Sequence, residues 1–248
     1  MKFCWILLCH NINQHVENEY LKIKKQLKEY EYIDVVLLQD NVDFNYNDLC
    51  EKYNTFDTDE TNVYNRYIGN SIFPIIDYSK NHDFDYYIIQ EYDCMFTGNY
   101  KNIIENINIC EFDAIFQSKP THVYKSFWYW KQFSNIPINK NNFFNLLQFY
   151  IINKKTINLI NDYYNIGYKG HYEEVVYTVV ENNRDVLNVD YLDNYFNVYM
   201  DWNIDNLSQK LKDTVGIEYD QNKHNEYIKS IIKHFENKNT FLHPIKYI

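Results

Sequence analysis

The sequence predicts an α/β protein in which helices cover an open, mostly parallel sheet. An apolar run at 3–10 (FCWILLCH), an amphipathic pattern at 15–30 and a second apolar run at 32–40 (YIDVVLLQD) together form a β-α-β unit. Strands that are buried on both faces are almost continuously apolar, and parallel neighbours need a crossover such as a helix. The beginning of the chain therefore favours a parallel sheet between layers of helices.

The middle of the chain continues this alternation, and the remainder is predicted to be mainly helical. Apolar runs at 83–90 and 111–118 repeat the strand pattern, with a short helix predicted at 100–110 between them. From 140–165 onward the apolar residues recur mainly at helical spacing, and the last amphipathic helix is predicted at 224–237. No linker rich in Pro, Gly or Ser divides the chain, and no internal repeat is visible, so one domain is expected.

Composition limits the classes of function. The 248 residues can bury a sizeable core, and the net charge of -10, from 24 Lys and Arg against 34 Asp and Glu, argues against nucleic acid as a partner. Five scattered cysteines without a CxxC pair indicate reduced thiols. The apolar start is too short for a membrane span and lacks a cleavage site, so we expect a cytoplasmic protein without a transmembrane segment.

Two acidic side chains, Glu91 and Asp93, directly follow the predicted strand at 83–90. Ligands of open α/β sheets bind beyond the carboxyl ends of the strands. In an extended segment, residues two apart point the same way, so both carboxylates can face one pocket while Tyr92 points away. Carboxylate oxygens bind hard divalent cations, and such a cation can bind a diphosphate. A ribose hydroxyl is the other natural partner of Glu91. A pair of solvated acids at the start of a loop is the alternative.

The stretch GNSIFPIIDYSKNHDFDYYIIQEYDCMFTGNY (69–100) resembles bacterial glycosyltransferase-like proteins. Their central segment runs from a Gly-Asn and a Phe-Pro-x-x-Asp through a strand into Glu-Tyr-Asp-Val and a Thr/Ser-Gly; Cys94 stands here in place of that Val. The resemblance implies a Rossmann-like, single-domain glycosyltransferase-A fold over 1–248 that binds a nucleotide-sugar. It also implies that Glu91 faces the ribose or the cation, and that Asp93 holds Mn²⁺ or Mg²⁺.

Within this fold, the resemblance implies a nucleotide-binding part at about 1–118 and a mainly helical acceptor-side part at about 119–248. The segment KPTHVYKSFWYWKQF (119–133) follows the strand predicted at 111–118. Trp128 and Trp130 lie two apart there, and aromatic faces stack against the apolar face of sugar rings. They are candidate acceptor-binding residues, and core packing is the alternative.

Further candidates surround the expected nucleotide. In the superfamily, the exit of the first strand contacts base and ribose, which makes His10 and Asn11 candidates, and Asp40 ends the second predicted strand. The tail FLHPIKYI resembles the closing His-Pro-x-Lys of the same family. A histidine can ligate a cation, so His243 is a candidate metal ligand, and Lys246 can neutralise the departing diphosphate. The alternative is a stray basic tail.

The stretch KGHYEEVVYTVVEN (169–182) resembles the acceptor-side element of inverting glycosyltransferases, including the core-2 type N-acetylglucosaminyltransferases. In these a Glu precedes a helical Thr by five positions, as Glu173 precedes Thr178. An inverting transfer needs a carboxylate that takes the proton of the acceptor hydroxyl, which makes Glu173 the candidate base. Glu174 competes for this role or contacts the acceptor, because adjacent helix residues point about 100° apart. The alternative is that Glu173 and Glu174 are only first-turn acids, which the helix dipole stabilises.

The resemblance therefore implies an inverting glycosyltransferase that transfers a sugar, most often from a UDP-sugar, to a glycan or glycolipid acceptor. Peripheral contact with a membrane is compatible with this function. Core-2 type relatives work without a metal and use basic side chains, a route that His243 and Lys246 would allow. Two other classes stay open: a binding module for nucleotide-sugars or glycans without turnover, and another metal-dependent nucleotide enzyme, such as a nucleotidyltransferase or phosphohydrolase.

Overall fold

The structure, a computed structural model, describes residues 1–9, 12–40, 50–53, 72–122, 143–168, 172–201 and 204–245. The strands in this part of the chain are β1 Phe3–Cys9, β2 Ile33–Asp40, β3 Cys50–Tyr53, β4 Tyr86–Glu91, β5 Met95–Phe96, β6 Ala114–Phe116, β7 Thr121–His122, β8 Phe143–Phe144, β9 Phe149–Asn153, β10 Val189–Tyr191, β11 Asn197–Met200 and β12 Thr240–His243. The α-helices are α1 Gln14–Leu27, α2 Ile72–Asn81, α3 Lys101–Asn106, α4 Lys154–Asn165, α5 Tyr172–Asn182, α6 Ile204–Val215 and α7 His224–Phe235. Single 3-10 turns lie at Ile109–Glu111, Leu192–Asn194 and Gln221–Lys223.

The main sheet has the strand order β10-β6-β9-β4-β1-β2-β3. Its neighbouring strands are parallel except at β9, which runs antiparallel to both β4 and β6. Leu8 of β1 pairs with Leu38 of β2 on one side and with Glu91 of β4 on the other. The carboxyl ends of these three strands therefore lie at the same edge of the sheet.

Both faces of this sheet are covered, which explains why its strands are almost continuously apolar. Cys4, Ile6 and Leu8 of β1 face a core that includes residues of α2, α4 and α5. Phe3 and Trp5, which alternate with them, face a second core shared with α1 and α3. Burying such side chains stabilises the fold by roughly 1.5–3 kcal/mol each. The predicted fold class, an α/β fold with a central mostly parallel sheet flanked by helices, is confirmed.

The prediction of a mainly helical second half is wrong in part. The segment predicted as helical over 140–165 contains strands β8 and β9, and α4 begins only at Lys154. Phe149, Tyr150 and Ile151 of β9 are buried on both faces, so the strand lacks the polar alternation that distinguishes it from a helix. Strands β10, β11 and β12 also lie in this half. The helix predicted at 224–237 is confirmed as α7, and the stretch singled out at 169–182 contains α5.

A smaller sheet, in the order β11-β12-β5, connects the end of the described chain to its middle. β12 runs parallel to β11 and antiparallel to β5, with Leu242 opposite Met95. α6 and α7 contribute to a third core that also contains Met95 and Leu242. This sheet brings the carboxyl end of β12 beside the turn that follows β4. Within the described ranges, no helix combines the length and the apolar character that a membrane crossing requires.

Gly98, just after β5, is required by close packing. A Cβ atom at this position would lie 2.1 Å from Asn239 Oδ1 and 2.8 Å from the Phe96 ring. Asn239 Oδ1 accepts a hydrogen bond of 2.7 Å from Asn102 Nδ2, which holds it in place. We expect Gly98→Ala to lower the free energy of unfolding by about 1–3 kcal/mol, measured by urea denaturation.

The matched control for this prediction is Gly98→Ala in an Asn239→Gly background. Asn239 has a φ of 51°, which glycine adopts without strain, and the change removes the obstructing carboxamide. The loss of stability should be smaller in that background. An equal loss in both backgrounds would show that contact with Asn239 is not the cause.

Candidate functional site

Three side chains that could hold a metal ion converge beyond the carboxyl end of β4. One donor atom each of Glu91, Asp93 and His243 lies within 4.8 Å of the other two. Glu91 ends β4, Asp93 lies in the following turn, and His243 ends β12. The Ile245 N–H donates to the Asp93 carbonyl oxygen at 2.8 Å, which ties the two segments together. The structure thus brings the acid pair Glu91 and Asp93 together with His243, which the sequence singled out in a different stretch.

The reason for the convergence of Glu91 and Asp93 differs from the one predicted. The chain does not continue as an extended strand: the Cys94 N–H donates to the Glu91 carbonyl oxygen at 3.0 Å and closes a turn. The Tyr92 N–H donates to the carbonyl oxygen of Leu8 in β1 at 2.9 Å. The two carboxylates therefore meet because the chain reverses, and the prediction of alternating side chains in an extended segment is wrong.

A buried network of polar groups, centred on Gln90, stabilises this turn. Gln90 is fully buried; its Oε1 accepts from Trp5 Nε1 at 3.2 Å, and its Nε2 donates to the Cys94 carbonyl oxygen at 2.8 Å. The same Nε2 donates to the Tyr100 hydroxyl at 3.0 Å, and that hydroxyl donates to the Glu19 carboxylate. Connected buried networks specify one conformation. Sequence reasoning missed it, although a glutamine in an apolar strand was a signal.

Tyr172, the first residue of α5, forms a hydrogen bond with Glu91. Its hydroxyl donates to Glu91 Oε1 at 2.9 Å, and its side chain is buried. Burial and the nearby carboxylates of Glu91 and Glu173 raise the pKa of Tyr172 well above its ordinary value, so the hydroxyl stays a donor. The hydrogen bond orients one oxygen of Glu91. Sequence reasoning did not identify this role, since the two residues are 81 positions apart.

We expect Tyr172→Phe to weaken the binding of Mn²⁺ by about tenfold, because partners of this kind typically affect metal affinity by about 10- to 100-fold. The change removes the hydroxyl that orients Glu91 and leaves the buried ring in place. Isothermal titration of Mn²⁺ measures the effect. Tyr199→Phe, at a half-buried position in the third core, is the control. Equal weakening in both variants, or in neither, would contradict a positioning role for Tyr172.

The ring of His243 is oriented by a backbone carbonyl. Its Nδ1 lies 2.8 Å from the Asp201 carbonyl oxygen, which can only accept, so Nδ1 carries the proton. Nε2 then faces Asp93 Oδ1 at 3.4 Å. A neutral ring offers a lone pair there, as metal-bound histidines do when their other nitrogen bonds a carbonyl. A protonated ring would instead form an ion pair with Asp93.

The two acids at the start of α5 are both buried. Glu173 and Glu174 are each 2% exposed, so burial does not distinguish between the two candidates for the base. Glu173 Oε1 accepts from the Leu147 N–H and from Gln148 Nε2, both at 3.1 Å. Burial raises the pKa of Glu173 well above its usual range, the Glu91 carboxylate raises it further, and the two hydrogen bonds oppose the shift. The carboxyl group therefore keeps its proton to higher pH than a surface glutamate does.

Thr178, five positions after Glu173, fixes α5 to β8. Its Oγ1 accepts from the Phe143 N–H at 3.0 Å and donates to the Phe143 carbonyl oxygen at 3.2 Å. This pair of bonds gives the threonine a structural role at the predicted spacing. The two hydrogen bonds hold α5, which carries Glu173 and Glu174, against β8.

His15 is a titratable neighbour of the site that the sequence did not single out. It lies in the first turn of α1, where the side chain of Asn13 accepts from the N–H groups of His15 and Val16. Burial lowers the pKa of His15, and the carboxylates of Glu19 and Asp93 oppose that shift. The beginning of α1 is therefore close enough to Asp93 for that carboxylate to affect the pKa of His15.

Several predicted site residues lie outside the part that the structure describes. These are His10, Asn11, Trp128, Trp130 and Lys246. The backbone of Asp40 ends β2, at the same edge of the sheet as Glu91, but its side chain lies outside the described part.

Comparisons with known proteins add little to this geometry. No protein-family model and no curated protein matches the chain. Similar solved structures include a 4-diphosphocytidyl-2C-methyl-D-erythritol synthase from Anaerococcus prevotii, with a TM-score of 0.43 and 11% identity over 77% of this chain and 86% of that one. A putative glucose-1-phosphate thymidylyltransferase from Bacillus anthracis, in complex with sucrose, has a TM-score of 0.40 and 10% identity over 76% and 86%.

A mannosyltransferase from Pyrobaculum calidifontis, in complex with GDP-Man and Mn²⁺, has a TM-score of 0.44 and 9% identity. The match covers 77% of this chain but only 54% of the mannosyltransferase, about half of its length. At these identities and TM-scores the three likenesses carry no argument about activity.

Proposed function

We propose that this protein is a glycosyltransferase that uses a divalent cation to move a sugar from a nucleotide-sugar to a glycan or glycolipid acceptor. The observation that carries the proposal is the convergence of Glu91, Asp93 and His243 at the carboxyl edge of a mostly parallel sheet. Open α/β sheets bind their ligands at this edge. Two carboxylates and an imidazole form a donor set for a divalent cation.

The donor set fits Mn²⁺ better than Mg²⁺. Carboxylates suit both ions, but Mg²⁺ prefers oxygen ligands alone, and an imidazole suits a transition metal. Tyr172 orients Glu91, and the Asp201 carbonyl oxygen fixes the ring of His243. Bound by these residues, the ion would neutralise the charge that develops on the leaving diphosphate.

Glu173, in the first turn of α5, is the proposed base. Once it is ionised, a carboxylate with a raised pKa is a stronger base than an ordinary glutamate, which suits Glu173. We propose inversion at the anomeric carbon and a UDP-sugar donor on the family resemblance alone. The same resemblance supports contacts of His10, Asn11 and Lys246 with the nucleotide, and Asp40 joins them as the end of β2. Trp128 and Trp130, as aromatic side chains that can stack on a sugar, and Glu174, as the neighbour of the base, are proposed to contact the acceptor.

The test is a donor screen with purified protein. UDP-, GDP- and CMP-sugars are incubated with Mn²⁺ or with EDTA, and released nucleotide, pyrophosphate and phosphate are quantified. We expect one donor to yield its nucleotide with Mn²⁺ and not with EDTA. Release of pyrophosphate or inorganic phosphate instead would contradict the proposal and indicate another nucleotide enzyme. Binding of a nucleotide-sugar without turnover would also contradict it and indicate a binding module.

A further inference from the structure

We propose that a basic cleft between α1, the loop after β5 and α7 binds a phosphate group. The cleft has a volume of about 450 Å³. Its walls include Lys22, Gln26, Asn99, Lys229, Lys233 and Asn237. We call it the lysine cleft. This proposal does not depend on the transferase activity proposed above.

The charge of the lysine cleft is opposite to that of the protein. Lys22, Lys229 and Lys233 line it, and Glu236 is the one acid among its lining residues, so three positive charges oppose one negative charge. The chain as a whole has a net charge of -10. A concentration of positive charge on an acidic protein attracts an anion to this place in particular.

The two lysines of α7 lie side by side. Lys229 and Lys233 are four residues apart, so their side chains are neighbours on one face of the helix, where like charges destabilise it. Among the residues that the structure describes, neither lysine has a carboxylate within ion-pair distance. An anion bound between them would remove this repulsion.

Lys22 faces the same cleft from α1 and is held in position. Its Nζ donates to the Phe96 carbonyl oxygen at 3.0 Å, lies 3.7 Å from Glu19 Oε2 and sits 5.0 Å from the centre of the Tyr100 ring. An ammonium group has three donors, so others remain for a ligand. A side chain already fixed in place loses little entropy when it binds.

The carboxamides of the cleft are oriented as donors. Gln26 Oε1 accepts from the Tyr100 N–H at 2.8 Å, and Asn99 Oδ1 accepts from the Lys101 N–H at 3.1 Å. Because each oxygen is committed to a backbone N–H group, each side chain has its NH₂ group left for a ligand. Ammonium and amide donors together match the several acceptor oxygens of a phosphate group.

A phosphate group could reach the lysine cleft on a soluble ligand, such as a phosphorylated sugar, or on a lipid headgroup. The first experiment is a titration of inorganic phosphate and glycerol 3-phosphate into the protein in EDTA, at constant ionic strength with chloride as the reference. Thermal unfolding is the readout. We expect both ligands to raise Tm above the chloride reference, and Lys229→Gln/Lys233→Gln to weaken the apparent affinity at least about tenfold.

The matched control is Lys25→Gln/Lys28→Gln, which removes the same charge from exposed positions of α1 and its end that do not line the cleft. It should bind phosphate like the unmodified protein. Equal binding by the Lys229/Lys233 variant, or equal weakening in both variants, would overturn the proposal, as would phosphate and chloride having the same effect. EDTA keeps cations away from Asp93, so these outcomes are separate from the fate of the proposed transferase activity.

The second experiment identifies the source of the phosphate. Sedimentation with vesicles of phosphatidylcholine and phosphatidylglycerol, at about 4:1, measures binding to lipid phosphate. Vesicle binding that is lost in Lys229→Gln/Lys233→Gln and kept in the control supports a lipid ligand. Phosphate binding in the titration without vesicle binding supports a soluble ligand. Vesicle binding that the cleft variant keeps in full, without phosphate binding in solution, would overturn the proposal.

Discussion

Replacing Asp93 with asparagine is expected to lower the affinity for Mn²⁺, and any activity that depends on Mn²⁺, by about 100-fold or more. Asparagine keeps the size of the side chain and one acceptor oxygen but loses the negative charge that faces His243 Nε2 at 3.4 Å. Partners that only orient a ligand already contribute about 10- to 100-fold to metal affinity, so a direct ligand should contribute more. Isothermal titration and donor turnover are the two measurements.

The control is Asp185→Asn, an equal change of charge at an exposed position. It should leave both quantities unchanged. If Asp93 and His243 formed only a buried ion pair, Asp93→Asn would destabilise the fold without changing Mn²⁺ binding. That result would contradict the proposed metal centre.

Replacing Glu173 with glutamine is expected to stabilise the protein at neutral pH and to abolish sugar transfer. Burial raises the pKa of Glu173 well above the 4.5 of an unperturbed carboxyl group. Between these two pKa values, the unfolded chain releases a proton that the folded protein keeps, so stability falls as pH rises above about 4.5. The loss is about 1.4 kcal/mol for each unit of raised pKa. Glutamine does not ionise and keeps an acceptor oxygen for the Leu147 N–H.

Urea denaturation across a pH series tests this expectation. The variant should gain stability over the unmodified protein as pH rises from about 4.5 to the folded pKa, and the difference should then stay constant. Glu226→Gln, in the exposed first turn of α7, should show no such trend. A difference that does not vary with pH would contradict the buried, raised pKa. Full transfer activity in Glu173→Gln would exclude it as the base and make Glu174→Gln the next variant.

Much of the fold could be predicted because local patterns determine it. β1, α1 and β2 follow from apolar runs separated by a helical period, and α7 follows from its own periodicity. β9 could not be predicted in this way. It is short and apolar throughout, and its position between β4 and β6 depends on pairing with strands far away in the sequence. Its antiparallel direction is set by the whole sheet, and no local pattern records it.

The candidate site divides in the same way. Glu91 and Asp93 could be predicted because acids at the carboxyl end of a strand are visible in one short segment. Family resemblance pointed to His243, but its proximity to Asp93 depends on the smaller sheet that brings β12 beside β5. The supporting partners could not be predicted. Tyr172 reaches Glu91 across 81 residues, and Gln90 meets Trp5 across 85.

The most direct test of the metal centre is a crystal of the protein grown with Mn²⁺ and measured at the manganese absorption edge. We predict an anomalous peak between Glu91, Asp93 and His243, with the Asp93 carboxylate and His243 Nε2 at about 2 Å from the ion. A manganese peak at another place, with these three side chains unchanged, would contradict the proposed centre and the cation-assisted transferase built on it.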